Sequence, residues 1–131
     1  MAGEPAIRVM MMPRDTNAHG TIFGGHILSL IDQAGAIGAL ASGARKVVTV
    51  SVHEVIFKQP VHVGDIVSCY AKVVRCGRTS VTVRVRVIAE HPSARSPVEV
   101  TTAELVYVNV DEAGLPTPLP APERCAAEPA P

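Results

Sequence analysis

The sequence predicts an α+β fold in which one antiparallel sheet packs against a single long helix. A segment near the N-terminus carries apolar residues at helical spacing, and the segments after it alternate with a period of two. Short turns rich in Gly, Asp and Pro join the alternating segments. The order of one strand, one helix and four strands favours an antiparallel sheet over βαβ repeats. A chain of 131 residues is most economically one domain.

The helix is predicted from about Gly24 to Ser42, with Gly43 as its C-terminal stop. Its apolar residues cover most of the circumference, which is typical of a buried helix. Gly35 and Gly38 lie about one turn apart, and each lowers helix propensity by about 1 kcal/mol relative to Ala. We therefore expect another backbone to pack closely against this part of the helix.

Five strands are predicted around this helix. They cover residues 6–12, 47–59, 66–76, 81–87 and 98–110. The fourth is the clearest, because its valines alternate with Thr and Arg as in a half-buried strand. Together these elements predict one domain over residues 1–118. Residues 119–131 are rich in Pro and Ala and are predicted to form a disordered tail.

Charge and composition restrict the partners of the protein. The chain has 12 basic and 12 acidic residues, two Phe, two Tyr and no Trp, so we expect no nucleic-acid binding. Asp32 and Gln33 interrupt the apolar run of residues 22–44, so we expect no membrane insertion. The N-terminus lacks signal-peptide features, which predicts a cytoplasmic protein. Apolar residues make up 47% of the sequence, which indicates association with further copies of the chain.

The cysteines and histidines indicate neither a disulfide framework nor a metal site. Cys69, Cys76 and Cys125 show no CxxC spacing, so we expect free thiols in a reducing compartment. The five histidines form no HxH or HExxH pattern, and no metal or other cofactor is expected. The absence of GxSxG, GxGxxG and GxxxxGK[ST] motifs disfavours a serine hydrolase and a nucleotide-hydrolysing fold.

Three features near the helix are candidates for chemistry. Asp32 is a lone carboxylate that could act as a base, or simply an acid at the helix edge. Gly24 and Gly25 could let a ligand approach amide groups that hold an oxyanion, or form a plain turn. The Asn17 amide could orient a water or a carbonyl, or stabilise an Asx turn. The polar turn at residues 77–80 suits a phosphate contact or an ordinary hairpin tip.

Several motifs follow one another between about residue 7 and residue 118. They are PxDTNxxGxIFGG at 13–25, DxxG at 32–35, VTV at 48–50, FxxPVxVGD at 57–65 and GRTS at 77–80. Together they resemble the hotdog-fold acyl-CoA thioesterases, most closely the YciA type and the related cytosolic acyl-CoA hydrolases. The series as a whole is far more specific than any one of its motifs.

The resemblance implies a five-stranded antiparallel sheet wrapped around a long central helix, in homodimers that often assemble as trimers of dimers. It implies hydrolysis of acyl-CoA to a free acid and CoA without a metal. By motif position, it assigns Asp32 as the catalytic carboxylate, Asn17 as the active-site amide, and Gly24 and Gly25 as oxyanion donors. It assigns substrate or CoA contacts to Phe23, His26, Gly77, Arg78, Thr79 and Ser80. His26 stands where relatives often carry a bulky aromatic residue, which bears on acyl-chain preference.

Helix geometry adds a prediction about assembly. Gly24 and Asp32 are eight residues apart, which corresponds to about 12 Å along a helix axis. A base and oxyanion donors must both lie within roughly 3 Å of the reacting group or its water. We therefore predict two composite sites per homodimer, each combining the helix N-terminus of one chain with Asp32 of the other.

Two alternatives use the same fold. A non-catalytic acyl-CoA-binding or sensing protein would need a regulatory domain or a missing carboxylate, and the chain has neither. A hydratase would need a His–Asp pair beside the helix, and the spacing of His19 and His26 does not match. For a thioesterase, the sequence leaves open whether Asp32 acts as a general base or as a nucleophile.

Overall fold

The computed structural model describes residues 3–94 and 96–120. Its elements are β1 (Ile7–Met10), α1 (Gly24–Ala41), β2 (Val47–Phe57), β3 (Ile66–Cys76), β4 (Ser80–Glu90) and β5 (Val98–Asn109). A short 3-10 helix at Pro13–Asp15, which the sequence did not predict, opens the polar turn before α1. All strand pairs are antiparallel, in the order β1-β3-β4-β5-β2. The predicted α+β architecture is confirmed.

The core lies between α1 and one face of the sheet. Four alternating valines of β4, at positions 81, 83, 85 and 87, are completely buried. Arg84 and Arg86 of the same strand point to the opposite face, as the strand period requires. Burying one such valine contributes about 1.5–3 kcal/mol. The helix contributes Ile27, Leu30, Ile31, Ala34, Gly35 and Ala39 to this core.

The two helical glycines make room for side chains of the sheet. A Cβ atom at Gly35 would overlap the hydroxyl of Tyr107, and one at Gly38 would lie 3.0 Å from Ala71 Cβ. The prediction of close packing is therefore confirmed, but the prediction of a second backbone is wrong. The reason is that strand side chains, which the helical pattern does not reveal, fill the space over these positions.

One side of α1 and the outer edge of β2 remain open in the single chain. Leu28, Ile37 and Leu40 of the helix are exposed, so the expectation of a fully buried helix is wrong for one chain alone. β2 is an edge strand of 11 residues, and Ile56 on it is 63% exposed. An apolar edge of this length is a surface for pairing with another chain. In the part of the chain that the structure describes, no helix could cross a membrane.

The cysteines and the C-terminal boundary differ in part from expectation. Cys69 is a buried free thiol as predicted, and burial raises its pKa to about 11. Cys76 is disulfide-bonded, so the prediction of a free thiol is wrong there; Cys125 lies outside the described residues. Leu119, assigned to the tail, packs in the core, and its N–H donates to the carbonyl of Arg78 at 3.0 Å. The rest of the predicted tail, from 121 onward, lies outside the described residues.

Asn109 joins three parts of the chain at the end of β5. Its side chain is almost completely buried, and Oδ1 accepts hydrogen bonds from the N–H groups of Arg45 (3.0 Å) and Lys46 (3.4 Å). Nδ2 donates to the carbonyl oxygens of Thr117 (3.3 Å) and Pro118 (3.2 Å). A single amide therefore ties the exit of α1 and the C-terminal segment to the sheet.

Replacing Asn109 with Ala is expected to lower the free energy of unfolding by about 2–4 kcal/mol, because backbone groups at this junction lose their partners. Urea unfolding at a fixed protein concentration measures the change. The control is Asn17→Ala, because Asn17 bonds within its own turn; we expect a loss of about 1 kcal/mol there. Equal losses in the two variants would contradict a special structural role for Asn109.

Candidate active site

Two hydroxyl groups from the sheet converge on one carboxylate oxygen of Asp32. Thr49 Oγ1 on β2 donates to Asp32 Oδ1 at 2.7 Å. The Tyr107 hydroxyl on β5 lies 3.1 Å from the same oxygen and 2.7 Å from the backbone carbonyl oxygen of Asp32. Among the described residues, no donor contacts Oδ2 of Asp32. The carboxylate is thus fixed through one oxygen and open at the other.

Strand register brings these two donors together. Thr49 and Tyr107 are directly opposite each other on β2 and β5 and therefore share a face of the sheet. Neither residue was predicted from the sequence to have a functional role. Thr49 lies in the VTV motif, and Tyr107 alternates with Ala103 and Leu105 on the buried face of β5. A tyrosine in such a position needs a partner for its hydroxyl, a signal that could have identified it.

The environment of Tyr107 keeps its hydroxyl protonated. Burial, and to a lesser degree the neighbouring Asp32 carboxylate, raise the pKa of Tyr107 above its ordinary value of 10.0. Ionisation would place a second negative charge, on a completely buried side chain, beside the Asp32 carboxylate. The hydroxyl is therefore a permanent hydrogen-bond donor at any pH near neutrality.

A cleft of about 700 Å³ runs between α1 and β2 beside Asp32. Its lining residues are Gly25, Leu28, Ser29, Ile31, Asp32, Val52, Val55, Phe57 and Leu105. The lining is largely apolar, with one carboxylate among aliphatic and aromatic side chains. Such a cleft can hold an apolar chain whose polar end lies at the carboxylate.

The N-terminus of α1 presents two backbone amides. The helix begins at Gly24, and His26 is the first helical residue whose N–H has an acceptor, the carbonyl of Phe23 at 3.0 Å. Among the described residues, the N–H groups of Gly24 and Gly25 have no acceptor. They carry the partial positive charge of the helix terminus, so they can bind a negatively charged oxygen.

These amides and Asp32 are separated within one chain. Gly24 and Asp32 are eight residues apart in one unbroken helix, which corresponds to about 12 Å along its axis. Gly24 lies beside Phe57 at the end of β2, whereas Asp32 contacts Thr49 near its start. The structure does not bring the two groups to one reacting centre within a single chain.

Asn17 organises the polar turn before the helix. Its Oδ1 accepts hydrogen bonds from the N–H groups of His19 (2.7 Å) and Thr21 (3.2 Å). Its Nδ2 donates to Thr21 Oγ1 at 2.9 Å. The Asx-turn interpretation therefore describes this side chain, and one of the two hydrogens on Nδ2 is left for a further acceptor.

Phe23 and His26 lie at the start of α1 beside a cleft of about 280 Å³, which Gly25 and Asp15 also line. His26 Nε2 is 3.7 Å from Asp15 Oδ2, a carboxylate oxygen that also accepts the N–H of Met12 at 2.9 Å. The Phe23 ring is largely exposed. Phe23 and His26, the two predicted substrate contacts, are thus adjacent to the helix amides. Asp15 lies beside them, although no functional role was predicted for it from the sequence.

The turn at residues 77–80 joins β3 to β4 at the end of the sheet that carries Thr49. Val81, Tyr107 and Thr49 are aligned across β4, β5 and β2, and the turn comes just before Val81. Because Val81 is two inter-strand spacings from Thr49, the turn lies about 10 Å from Thr49. Arg78 at its tip is exposed, and the carbonyl of Thr79 accepts the N–H of Asn109 at 2.8 Å. The turn is near Asp32 without touching it.

Across residues 3–94 and 96–120, no group of three or more His, Cys, Asp or Glu side chains could hold a metal ion. The thioesterase superfamily model matches residues 19–94. The YciA acyl-CoA thioester hydrolase of Salmonella typhimurium is 43% identical over 122 residues, which are 90% of this chain and 91% of that protein.

Two solved structures extend the similarity to three dimensions. A hexameric hotdog fold thioesterase of Campylobacter jejuni matches with a TM-score of 0.87 at 45% identity, covering 96% of each chain. A hexameric broad specificity acyl-coenzyme A thioesterase matches with a TM-score of 0.85 at 37% identity, covering 92% of this chain and 83% of that one. The chain belongs to the thioesterase superfamily and has the hotdog fold. The family predicted from the motifs is confirmed.

Proposed function

We propose that the protein hydrolyses acyl-CoA thioesters to a free carboxylic acid and CoA. The observation that supports this most directly is the Asp32 carboxylate, which Thr49 and Tyr107 hold through one oxygen beside an apolar cleft. The acyl chain would lie in the cleft, with its thioester at Asp32. Relatives that are acyl-CoA thioester hydrolases support the same substrate class.

In the proposed reaction, Asp32 acts as a general base. A thioester is activated and has a good leaving group, so a water made more nucleophilic by proton removal is sufficient. Oδ2 takes a proton from water while the water oxygen bonds to the carbonyl carbon. The carbon–sulfur bond then breaks, and the CoA thiolate takes the proton from Asp32. Atoms and charge are thereby restored for the next turnover.

Direct attack by the carboxylate is the alternative mechanism. Asp32 would bond to the carbonyl carbon while the carbon–sulfur bond breaks and CoA leaves as a thiolate. Water would then cleave the resulting anhydride between Asp32 and the acyl group, and the thiolate would take up the proton released. A single turnover in heavy-oxygen water separates the two. The general-base route places the heavy oxygen in the acid product, whereas the nucleophilic route can leave it in Asp32 and transfer an oxygen of the enzyme to the product.

The oxyanion of the tetrahedral intermediate is assigned to the amides of Gly24 and Gly25. Both N–H groups are at the positive end of α1 and have no acceptor among the described residues. Removing one donor of this kind costs about 3 kcal/mol of transition-state stabilisation. We assign the remaining hydrogen on Asn17 Nδ2 to the attacking water or the thioester carbonyl, on the strength of its place in the turn before the helix.

We propose that each site combines two chains of a homodimer. Within one helix, Gly24 and Asp32 lie roughly 12 Å apart, so one chain cannot supply both groups to the same site. The exposed edge strand β2 and the exposed apolar side of α1 support pairing with a second copy. Two antiparallel helices across the dimer axis would each offer the N-terminus to one site and Asp32 to the other.

Higher assembly and CoA contacts complete the proposal. Two similar thioesterases are hexamers, which supports a trimer of dimers here. The turn at residues 77–80, near the Asp32 end of the cleft, is assigned to the CoA moiety, with Arg78 supplying a positive charge. Phe23 and His26, beside the helix amides, are assigned to substrate contact.

A panel of acyl-CoAs of increasing chain length, followed by release of free thiol, tests the activity. We expect hydrolysis of several chain lengths without added metal. Acyl-pantetheine thioesters are a matched control, since they keep the thioester and lack the nucleotide; we expect a higher KM for them. Binding of acyl-CoA without thiol release would refute the proposed hydrolase activity and support a non-catalytic acyl-CoA sensor instead.

We place the protein in the cytoplasm, as in the cytosolic acyl-CoA hydrolases that the motifs resemble. A disulfide at Cys76 is unusual for a reducing compartment, and its redox state in the cell therefore bears on the location. Cell fractionation with rapid thiol labelling tests the location of the protein. Recovery of the protein in the cytosolic fraction supports the proposal, and recovery in an oxidising compartment refutes it.

A further inference from the structure

We propose that Tyr107 is a positioning residue whose hydroxyl follows the charge of Asp32 through each turnover. The inference rests on the proposed function, because it concerns the same carboxylate. It adds a residue on β5, far from every motif in the N-terminal half, to the machinery that controls the base. Tyr107 does not reach the cleft lining and acts through Asp32.

The single hydroxyl hydrogen of Tyr107 serves two acceptors. The Tyr107 hydroxyl lies 2.7 Å from the carbonyl oxygen and 3.1 Å from Oδ1 of Asp32, and a phenol has a single O–H to donate. An ionised carboxylate is a stronger acceptor than a peptide carbonyl. The hydrogen is therefore directed to Oδ1 while Asp32 is charged. When Oδ2 has taken a proton from water, the carbonyl becomes the competing acceptor.

The Tyr107 hydroxyl is held rigidly. Tyr107 is completely buried beneath α1, so its ring cannot turn away. Gly35 lies on the helix directly over the hydroxyl, where any Cβ atom would overlap it. The glycine lowers helix propensity by about 1 kcal/mol relative to Ala, so the helix gives up stability to admit this contact. Thr49, the other donor, lies by contrast on the exposed edge strand.

Few other titratable groups lie on this side of the sheet. On the strands packed against α1, the buried Cys69 has a pKa of about 11, and His26 lies near Asp15 at the other end of the helix. The remaining charged or titratable side chains of the strands project from the opposite face or lie at strand ends. They are Arg8, His53, Glu54, Tyr70, Lys72, Arg75, Arg84, Arg86, Glu90, Glu99 and Glu104. Tyr107 is therefore the group best placed to respond to Asp32.

Tyr107→Phe tests the proposal, because it removes the hydroxyl and keeps the buried ring. The variant loses a hydrogen bond that the charged carboxylate accepts more strongly than the neutral acid does. We expect the acid limb of the kcat/KM profile to move up by about one pH unit, which is a tenfold loss on that limb. On the alkaline plateau, activity should stay within about threefold, and KM should not change. A purely structural role would lower activity by the same factor at every pH.

Matched variants make the outcome decisive. Tyr70→Phe removes the only phenol hydroxyl described elsewhere, on the outer face near Arg8, and should leave the profile unchanged. Thr49→Val should move the acid limb in the same direction as Tyr107→Phe. Thr49→Ser keeps a hydroxyl at this position and should return the acid limb to its place in the unmodified protein. If the pH profile of Tyr107→Phe is unchanged while Asp32→Asn is inactive, the proposed role of Tyr107 is overturned and the proposed function is not. An active Asp32→Asn overturns the proposed function itself.

Discussion

Replacing Asp32 with Asn is expected to lower kcat for acyl-CoA hydrolysis by about 10²–10⁴-fold. The amide has nearly the shape of the carboxylate and can still accept the hydroxyls of Thr49 and Tyr107 through its oxygen. It cannot take a proton from water at neutral pH, so the chemical step loses its base. KM should stay within a few-fold, because the apolar cleft is unchanged. Steady-state thiol release and single-turnover rates measure the two effects.

The control for this variant is Asp111→Asn, which makes the same chemical change at an exposed turn. Asp111 Oδ1 accepts the N–H groups of Ala113 and Leu115, and an asparagine oxygen can accept both. Its activity should equal that of the unmodified protein. Near-normal turnover by Asp32→Asn would remove Asp32 from the mechanism, whichever substrate is used.

Mixing two inactive chains is expected to restore activity, because each site draws on both chains of the dimer. One chain carries Asp32→Asn and the other Gly24→Pro, which deletes one oxyanion donor. A heterodimer of these chains has one site with both defects and one site with neither. Random reassociation of equal amounts should recover about one quarter of the unmodified activity. Refolding from a denatured mixture, followed by thiol release, measures the recovery.

Gly24→Pro suits this experiment because its position tolerates proline. Gly24 is the first residue of α1, where proline is favoured, and Phe23 before it has an extended backbone with φ −59° and ψ 128°. Gly24→Ala is the matched control: it keeps the N–H, and its Cβ would lie 3.9 Å from the Phe57 ring. We expect Gly24→Ala to stay active alone. Failure of the mixture to gain activity over either chain would place base and oxyanion donors within one chain.

Local periodicity predicted the elements closely. The predicted strand at 66–76 is β3 (Ile66–Cys76), and the predicted helix exceeds α1 by one residue. These patterns are local, since each face of a helix or strand records whether the core lies beside it. The irregularities of β2 were not predicted. Its register shifts twice along β5, and Glu54 has a φ of 53°, because the pairing of distant strands, not a local pattern, sets where a bulge falls.

The sequence by itself determined the family, the element order, and the candidate carboxylate and amides. Those signals are carried by contiguous motifs and by apolar spacing. Only the tertiary structure decided how Asp32 is held. Thr49 and Tyr107 are far from it in the chain, and they meet it because β2 pairs with β5 in one register beneath α1. A one-residue change in that register would turn either side chain to the opposite face, and no local sequence pattern specifies it.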